Sequence, residues 1–321
     1  MPSHFGPCVD RRKSLKWTIN KSEARPTVGN MLDHSPRVAT RAERIDRAVS
    51  RMHARFAPLL PGGEVQEAGH AIWTVSATPL LCANGVIRYD ARDFHGPASE
   101  RELDNCLAVL STYDEPWRFS AWAHLGADVL VPRLIARGMI EERTDQAMWL
   151  DLPGHALAIT SQDGIEVRPA ADPSEYRAWT SIFTKASGIS SEYADLLEHM
   201  VAKPQWLSLV ARANRRPVGC LTLSIERGLA IVHTIGVLPS ERRLGVGRRL
   251  LLAAHEAAVA RGASACVALA TPEGSGVCAS LGHHTVTSVT YLMSPPREPT
   301  GEQPDSQVRR PTKLADQPTM P

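Results

Sequence analysis

"ERRLGVGRRLLLAAHEAAVARG", residues 241–262, sets two glycines and four arginines into its first nine positions and then continues with helical spacing. Leu250, Leu251, Ala254 and Ala258 recur at intervals of one to four residues, which gives one apolar stripe on a helix. The segment before it, "HTIGVLP" at 233–239, reads as a strand, so the layout is strand, glycine loop, helix. Glycine lets successive N–H groups turn toward one point. The helix N-terminus adds unsatisfied donors and a partial positive charge of about half an electron. Arg242, Arg243, Arg248 and Arg249 contribute forked donors that match phosphate oxygens. Backbone and charge together describe an anion cradle of the size a diphosphate needs.

Two common phosphate loops do not fit. The third glycine of a dinucleotide fingerprint would fall at Leu250, and no acidic residue closes a strand about 20 residues on. A P-loop needs Lys and Ser or Thr after its second glycine, whereas Gly247 is followed by Arg248 and Arg249. The formal net charge of the chain is only +2, and no aromatic residues interleave the arginines, which argues against a nucleic-acid surface. The anion site is therefore local.

Outward from the loop, alternation and turn residues predict strands at 164–170, 206–213, 216–226 and 229–238, with helical segments from Pro173 to Met200. After the 246–260 helix come a strand at 265–271, a short helix over 274–282 and a last strand pair in 284–293. The order is β, α, α, β, β, β, α, β, α, β. The first half reads as a helix from Arg37 to Phe56, a strand pair in 65–77 and 84–90, and a helix over 99–113 with Ser99 as cap. A strand at 117–123, a helix ending at Gly138 and a strand at 147–152 come next.

A chain of 321 residues exceeds one ordinary core, so two units plus tails are expected. We divide it into a tail at 1–36, a unit at 37–157, a unit at 163–294 and a Pro-rich tail at 295–321, both tails expected to be disordered. The linker lies within 151–164, and Met31 is an alternative start. Hydrophobic residues make up 43% of the chain, yet no apolar run reaches the roughly 18 residues a membrane span requires, and no secretory signal opens the sequence. Six cysteines without a C-x-x-C pair suit reduced thiols, which makes a cytoplasmic protein without membrane association the expectation.

The R-x-x-G-x-G string at Arg242–Gly247, the strand before it and the Leu281-Gly282 pair after the next strand resemble the GCN5-related N-acetyltransferase (GNAT) superfamily over about residues 163–294. Residues 116–152, with Gly138, resemble the first module of two-module acetyltransferases, in degenerate form because the loop string is missing. The resemblance implies a tandem GNAT fold, an α/β mixed sheet with an intact C-terminal module. It implies acetyl-CoA as co-substrate, with Arg242, Arg243, Leu244, Gly245, Val246, Gly247 and Arg248 at its pyrophosphate and the backbone of Val237 and Leu238 along its pantetheine arm. The family often carries a tyrosine where Cys278 stands and an aromatic residue where His283 stands.

Acetyl transfer to an alkyl amine needs a base, since an amine of pKa near 10 is about one part in a thousand neutral at pH 7. Alternation places Ile231, His233, Ile235 and Val237 on one face, which makes His233 the best candidate base, with Glu226 as a second choice and a hydrogen-bonded core histidine as the structural alternative. Cys278 is a candidate weak acid or, less favoured, an acyl acceptor. The resemblance also implies a bulge around Gly236-Val237, whose N–H would polarise the thioester carbonyl as it does in the family. Thr271 reads as a cap for the short helix. His255, His283 and His284 show no usual metal-ligand spacing with a cysteine or carboxylate, so no metal is expected. The expected activity is transfer of an acetyl group to a primary amine of a small molecule or peptide by direct attack in a ternary complex. The alternative is a catalytically decayed acyl-CoA-binding regulatory or scaffolding protein. An oligomer is allowed and not required.

Overall fold

The computed structural model describes residues 39–78, 80, 83–152 and 164–295. Both tails and the 153–163 part of the linker lie outside these residues, together with the expectations placed on them. The first helix, α1 (Arg41–Phe56), begins behind Thr40, whose hydroxyl accepts the Glu43 N–H at 3.2 Å while the Glu43 carboxylate accepts the Thr40 N–H at 2.9 Å. This reciprocal pair starts the helix at Arg41 rather than Arg37, because Thr40 is held extended in front of it. Next are strands β1 (Glu64–Ala68), β2 (Ala71–Val75) and β3 (Gly85–Tyr89), then α2 (Gly96–Leu110), β4 (Arg118–Trp122), α3 (Ala127–Ala136) and β5 (Ile140–Asp151). Ser99 does not cap α2. Pro97 sits in the first turn with its φ preset, the helix starts three residues earlier, and the Ser99 hydroxyl instead bonds both backbone groups of His95.

The second half comprises β6 (Ile165–Pro169), α4 (Pro173–Ser187), α5 (Ala194–Val201), β7 (Leu207–Ala213), β8 (Arg216–Glu226) and β9 (Leu229–Val237). After these come α6 (Val246–Ala260), β10 (Ala265–Ala270), α7 (Pro272–Ser280) and β11 (His284–Met293). In this half the order of elements matches the sequence reading except at the end; in the first half the single strand expected over 65–77 is the hairpin β1–β2, turned at Gly69 with φ +54°. The expected final strand pair is one long strand with register irregularities, because both of its edges find partners. Thr271 does cap α7, accepting the Gly274 N–H at 3.2 Å.

The eleven strands among the described residues form one mixed sheet in the order β1-β2-β3-β4-β11-β5-β10-β9-β8-β7-β6. Only β3–β4 and β9–β10 are parallel. At the centre the halves exchange strands: β5, from the first half, pairs with β10 of the second, and β11, from the second, pairs with β4 of the first. Helix α6 covers one face of the second half through Val246, Leu250, Leu251 and Ala254, and α4 covers the other through Trp179 and Ile182. Helix α1 lies over the middle, its Ile45, Val49 and Met52 packing on Ile231 and Val267.

The contact of α6 with the sheet depends on one absent side chain. A Cβ at Gly219 on β8 would stand 2.6 Å from Val246 Cγ1 and 3.0 Å from Leu250 Cδ1, both in the first turns of α6. Gly219→Ala is therefore expected to lower stability by about 1–3 kcal/mol through overpacking. Urea unfolding with an unchanged slope would measure it, and an unchanged midpoint would contradict it.

Candidate active site

The loop after β9 has the backbone the sequence demanded. Gly245 precedes α6 at φ +84°, a Cβ there would meet nothing within 4 Å, and Arg243 also takes a left-handed conformation at φ +66°. No side chain caps α6, and the first of its amides with a backbone acceptor is that of Arg249, on Gly245 C=O at 3.0 Å. The preceding amides are thus available to an anion, in the polarity a helix N-terminus favours. The arginines divide in role. Arg242 braces the loop, donating from Nε to Val237 C=O at 3.4 Å and from Nη2 to Ala186 C=O at 3.3 Å. Arg243 and Arg248 are exposed, and Leu244 and Ile235 leave apolar side chains 62% and 43% exposed beside them.

Strand β9 leads from this loop into an opening. It pairs with β10 only from Leu229 to Val232, opposite Ala265 to Ala268, and beyond that point the two parallel strands part. Peptide groups alternate between the edges of a strand. Since the Leu238 N–H is bonded to Val218 C=O at 3.0 Å on the β8 side, Ile235 and Val237 present their peptide groups to the open edge. Of the two backbone contributors expected, Val237 has its peptide groups on the open edge, its C=O also accepting from Arg242 Nε, and the Leu238 N–H is bonded to Val218.

His233 stands at the point of parting, but not as alternation predicted. The β8–β9 register jumps there, with Thr222 opposite Thr234 and Leu223 opposite Val232, which leaves His233 as the extra residue of a bulge. The bulge reverses the facing of the residues beyond it. Ile231 packs with α1, whereas Val237 packs with the α6 side, so these two do not share a face. The expected bulge at Gly236-Val237 is displaced to His233. Gly236 lies in regular register opposite Cys220 and is small because a Cβ would approach Cys220 Sγ to 3.1 Å and Ala186 Cβ to 3.3 Å.

The His233 ring meets Trp206 edge-on at 4.9 Å between centroids, and its Nε2 lies 2.7 Å from the Ser224 hydroxyl. Its Nδ1 is buried with no hydrogen-bond partner among the described residues. Burial, reinforced by His53 of α1, lowers its pKa from 6.5 to about 3. Above pH 6.5 neither folded nor unfolded chain protonates this ring. Between about 6.5 and 3 the unfolded chain binds a proton that the folded chain refuses, so stability falls as pH is lowered through that window. The thermal midpoint should drop on acidification below 6.5, and more shallowly in His233→Gln; equal slopes would exclude this assignment.

Glu226 is separated from the parting point. It pairs across the β8–β9 turn with Leu229, three residues or about 10 Å along the strand from Val232. Its buried carboxylate is ion-paired with Arg55, and burial raises its pKa, with Arg55, Arg51 and Arg227 opposing. A cleft of about 210 Å³ bounded by Met52, Trp206, Ser224 and Glu226 lies beside the partners of His233. Cys278, on α7, is buried in the core under α6, and burial raises its thiol pKa to about 11.

The profile of the Acetyltransferase (GNAT) family matches residues 174–275, from the start of α4 into α7. Those residues form a GNAT domain. A GCN5-related N-acetyltransferase from Kribbella flavida shares 17% identity and superposes with a TM-score of 0.59 over 78% of this chain and 96% of its own. A tandem GNAT protein from the clavulanic acid biosynthesis pathway gives 17% and 0.55 over 85% of this chain and 96% of its own. A GCN5-related N-acetyltransferase from Sphaerobacter thermophilus gives 14% and 0.56 over 71% and 82%. At these identities the structures establish the fold, a tandem GNAT arrangement extending through the first half. No curated protein matches the chain.

Within the GNAT domain, Ser224 and Trp206 escaped the sequence reading. The Ser224 register was legible, because Arg227 and Gly228, at φ +49° and +75°, form the tight turn that sets the β8–β9 hairpin. Nothing marked the bulge that turns His233 toward it. His255 and His283 do meet a cysteine, because α6, β10 and the turn before β11 bring Cys266 to them across sequence gaps that no local motif spans. Among the described residues no helix is long and apolar enough to cross a membrane, and Cys106, Cys220, Cys266 and Cys278 are free thiols.

Proposed function

We propose that the chain is an acetyl-CoA-dependent N-acetyltransferase that acylates a primary amine by direct attack in a ternary complex. The observation that carries this reading is the alignment of two features on one path: the uncapped N-terminus of α6 and the open edge of β9 that ends at His233. The pyrophosphate would lie on the amides around Gly245 and Gly247, with Arg243 and Arg248 beside it. The amides of the pantetheine arm would pair with the backbone of Val237 and Ile235, adding to β9 as a strand does. This delivers the thioester to the parting of β9 and β10.

The amine would enter from the cleft by Trp206 and Ser224, attack the thioester carbonyl through its nitrogen lone pair and form a tetrahedral intermediate. The bulge releases the His233 peptide from regular pairing, next to the oxygen that becomes negative. The neutral His233 ring, with Nε2 on Ser224 and Nδ1 without a partner among the described residues, accepts the proton from the nitrogen as its charge develops and passes it on to solvent, because burial that lowers the ring's pKa to about 3 keeps it from retaining a proton at neutral pH. Collapse of the intermediate breaks the C–S bond. The CoA thiolate leaves with little need of protonation, so the step does not require Cys278, whose thiol holds its proton at neutral pH. Residues 37–157 serve in this reading as a structural or substrate-shaping module.

Release of free CoA thiol from acetyl-CoA across a panel of amines tests the proposal. Amine-dependent release supports it, and CoA binding with no release above hydrolysis defeats it. The second reading, an acyl-CoA-binding protein whose chemistry has decayed, is favoured by the burial of Cys278 and the engagement of His283 with His255. Its signature is tight CoA binding, unchanged in His233→Ala, without turnover.

A further inference from the structure

In the core of the second half, away from the open edge of β9, three side chains from three elements converge. They are His255 from the middle of α6, Cys266 from β10 and His283 from the turn between α7 and β11. One nitrogen of each ring and the Cys266 sulfur all lie within 4.8 Å of one another, and the two Nε2 atoms are 3.0 Å apart. The residues are 0%, 1% and 4% exposed, among Leu251, Leu252, Ala254, Ala268 and Leu281. Two imidazoles are costly occupants of such a core, where alanine and leucine would pack without desolvating polar atoms.

We propose that His255, Cys266 and His283 bind a zinc ion that fastens α6 to the sheet. Tetrahedral zinc with Zn–N near 2.0–2.1 Å and Zn–S near 2.3 Å places its nitrogens about 3.3 Å and nitrogen and sulfur about 3.6 Å apart, so small side-chain shifts suffice. A closed tetrahedral site needs a fourth ligand, and Cys278, which belongs to the same core cluster, is the thiol we assign to that position. Two thiolates and two neutral imidazoles around Zn(II) make an uncharged unit, which a buried closed site favours. Binding displaces one proton from each thiol that ligates, to solvent. The inference does not rest on the acetyltransferase reading.

The test uses the full chain and no activity. Protein produced with zinc in the medium and passed through metal-free buffer should retain stoichiometric zinc. Cys266→Ser and His283→Gln should lose it, and Cys106→Ser, altered in a different core cluster, should keep it. Because the core variants can fail to fold, chelator-stripped wild type is also titrated with Co(II). An intense thiolate-to-cobalt charge-transfer band and tetrahedral d–d bands are expected, and restored metal should raise the thermal midpoint. Wild type without zinc, zinc retained by Cys266→Ser, or cobalt bound without the thiolate band would each overturn the proposal, leaving a hydrogen-bonded histidine pair beside a thiol.

Discussion

Gly245→Glu is expected to abolish CoA binding while the chain stays folded. The position has room for a side chain, since a Cβ there meets nothing within 4 Å, so no core contact is lost. The backbone at φ +84° costs a non-glycine residue about 1–2 kcal/mol, a local penalty that the domain can bear. The functional cost is larger. A carboxylate is placed at the uncapped end of α6, where the proposed ligand is a diphosphate, and close like charges cost several kcal/mol. An effect on the order of 100-fold or more in Kd is expected from that magnitude. Calorimetry with CoA measures it, alongside circular dichroism to verify the fold. Wild-type affinity in the variant would mean that the amides around Gly245 do not hold the pyrophosphate.

His233→Ala should lower kcat on the order of 10²–10⁴-fold, the range for loss of a positioned base, and leave the Kd for CoA unchanged. The two variants therefore separate binding from chemistry. The pH profile sharpens the test. With its pKa lowered to about 3, the His233 ring is a neutral acceptor throughout the range from pH 5 to 8 and contributes no limb there. Any rise of kcat/KM with pH in that interval should track deprotonation of the amine and shift with the amine's own pKa. A limb near 6.5 that stays fixed for every amine and vanishes in His233→Ala would show the ring titrating freely, contrary to its burial.

The cradle was legible in the sequence because its parts are local. Glycine spacing, the apolar stripe after it and the preceding strand all lie within about thirty residues, and each has a backbone reason to be there. The order of elements was legible for the same cause in the second half up to β11, whereas the β1–β2 turn at Gly69 was not. Helix starts depart from the apolar periodicity where capping chemistry decides them, as at the Thr40–Glu43 pair and at Pro97 ahead of Ser99. Other parts of the site were hidden because they depend on pairing between distant segments. The bulge at His233 is a property of the β8–β9 register, and the meeting of His255, Cys266 and His283 depends on how α6 lies across β10. Face assignment by strict alternation fails wherever one residue is extra, which is why Ile231 and Val237 were placed together and lie apart.

The exchange of β5 and β11 bears on how the chain reaches this state. Ladder contacts between Arg118–Trp122 and Val289–Met293 close a loop of roughly 170 residues, and such closures are slow because their entropy is spent before any contact rewards it. On the ribosome, β4 must wait with one edge unpaired until nearly the last residues of the sheet emerge. Assembly of the central ladder is then a late, concerted event in synthesis, and β5, whose two neighbours β10 and β11 both come from the second half, is where an unfinished chain is most exposed to pairing with the wrong neighbour.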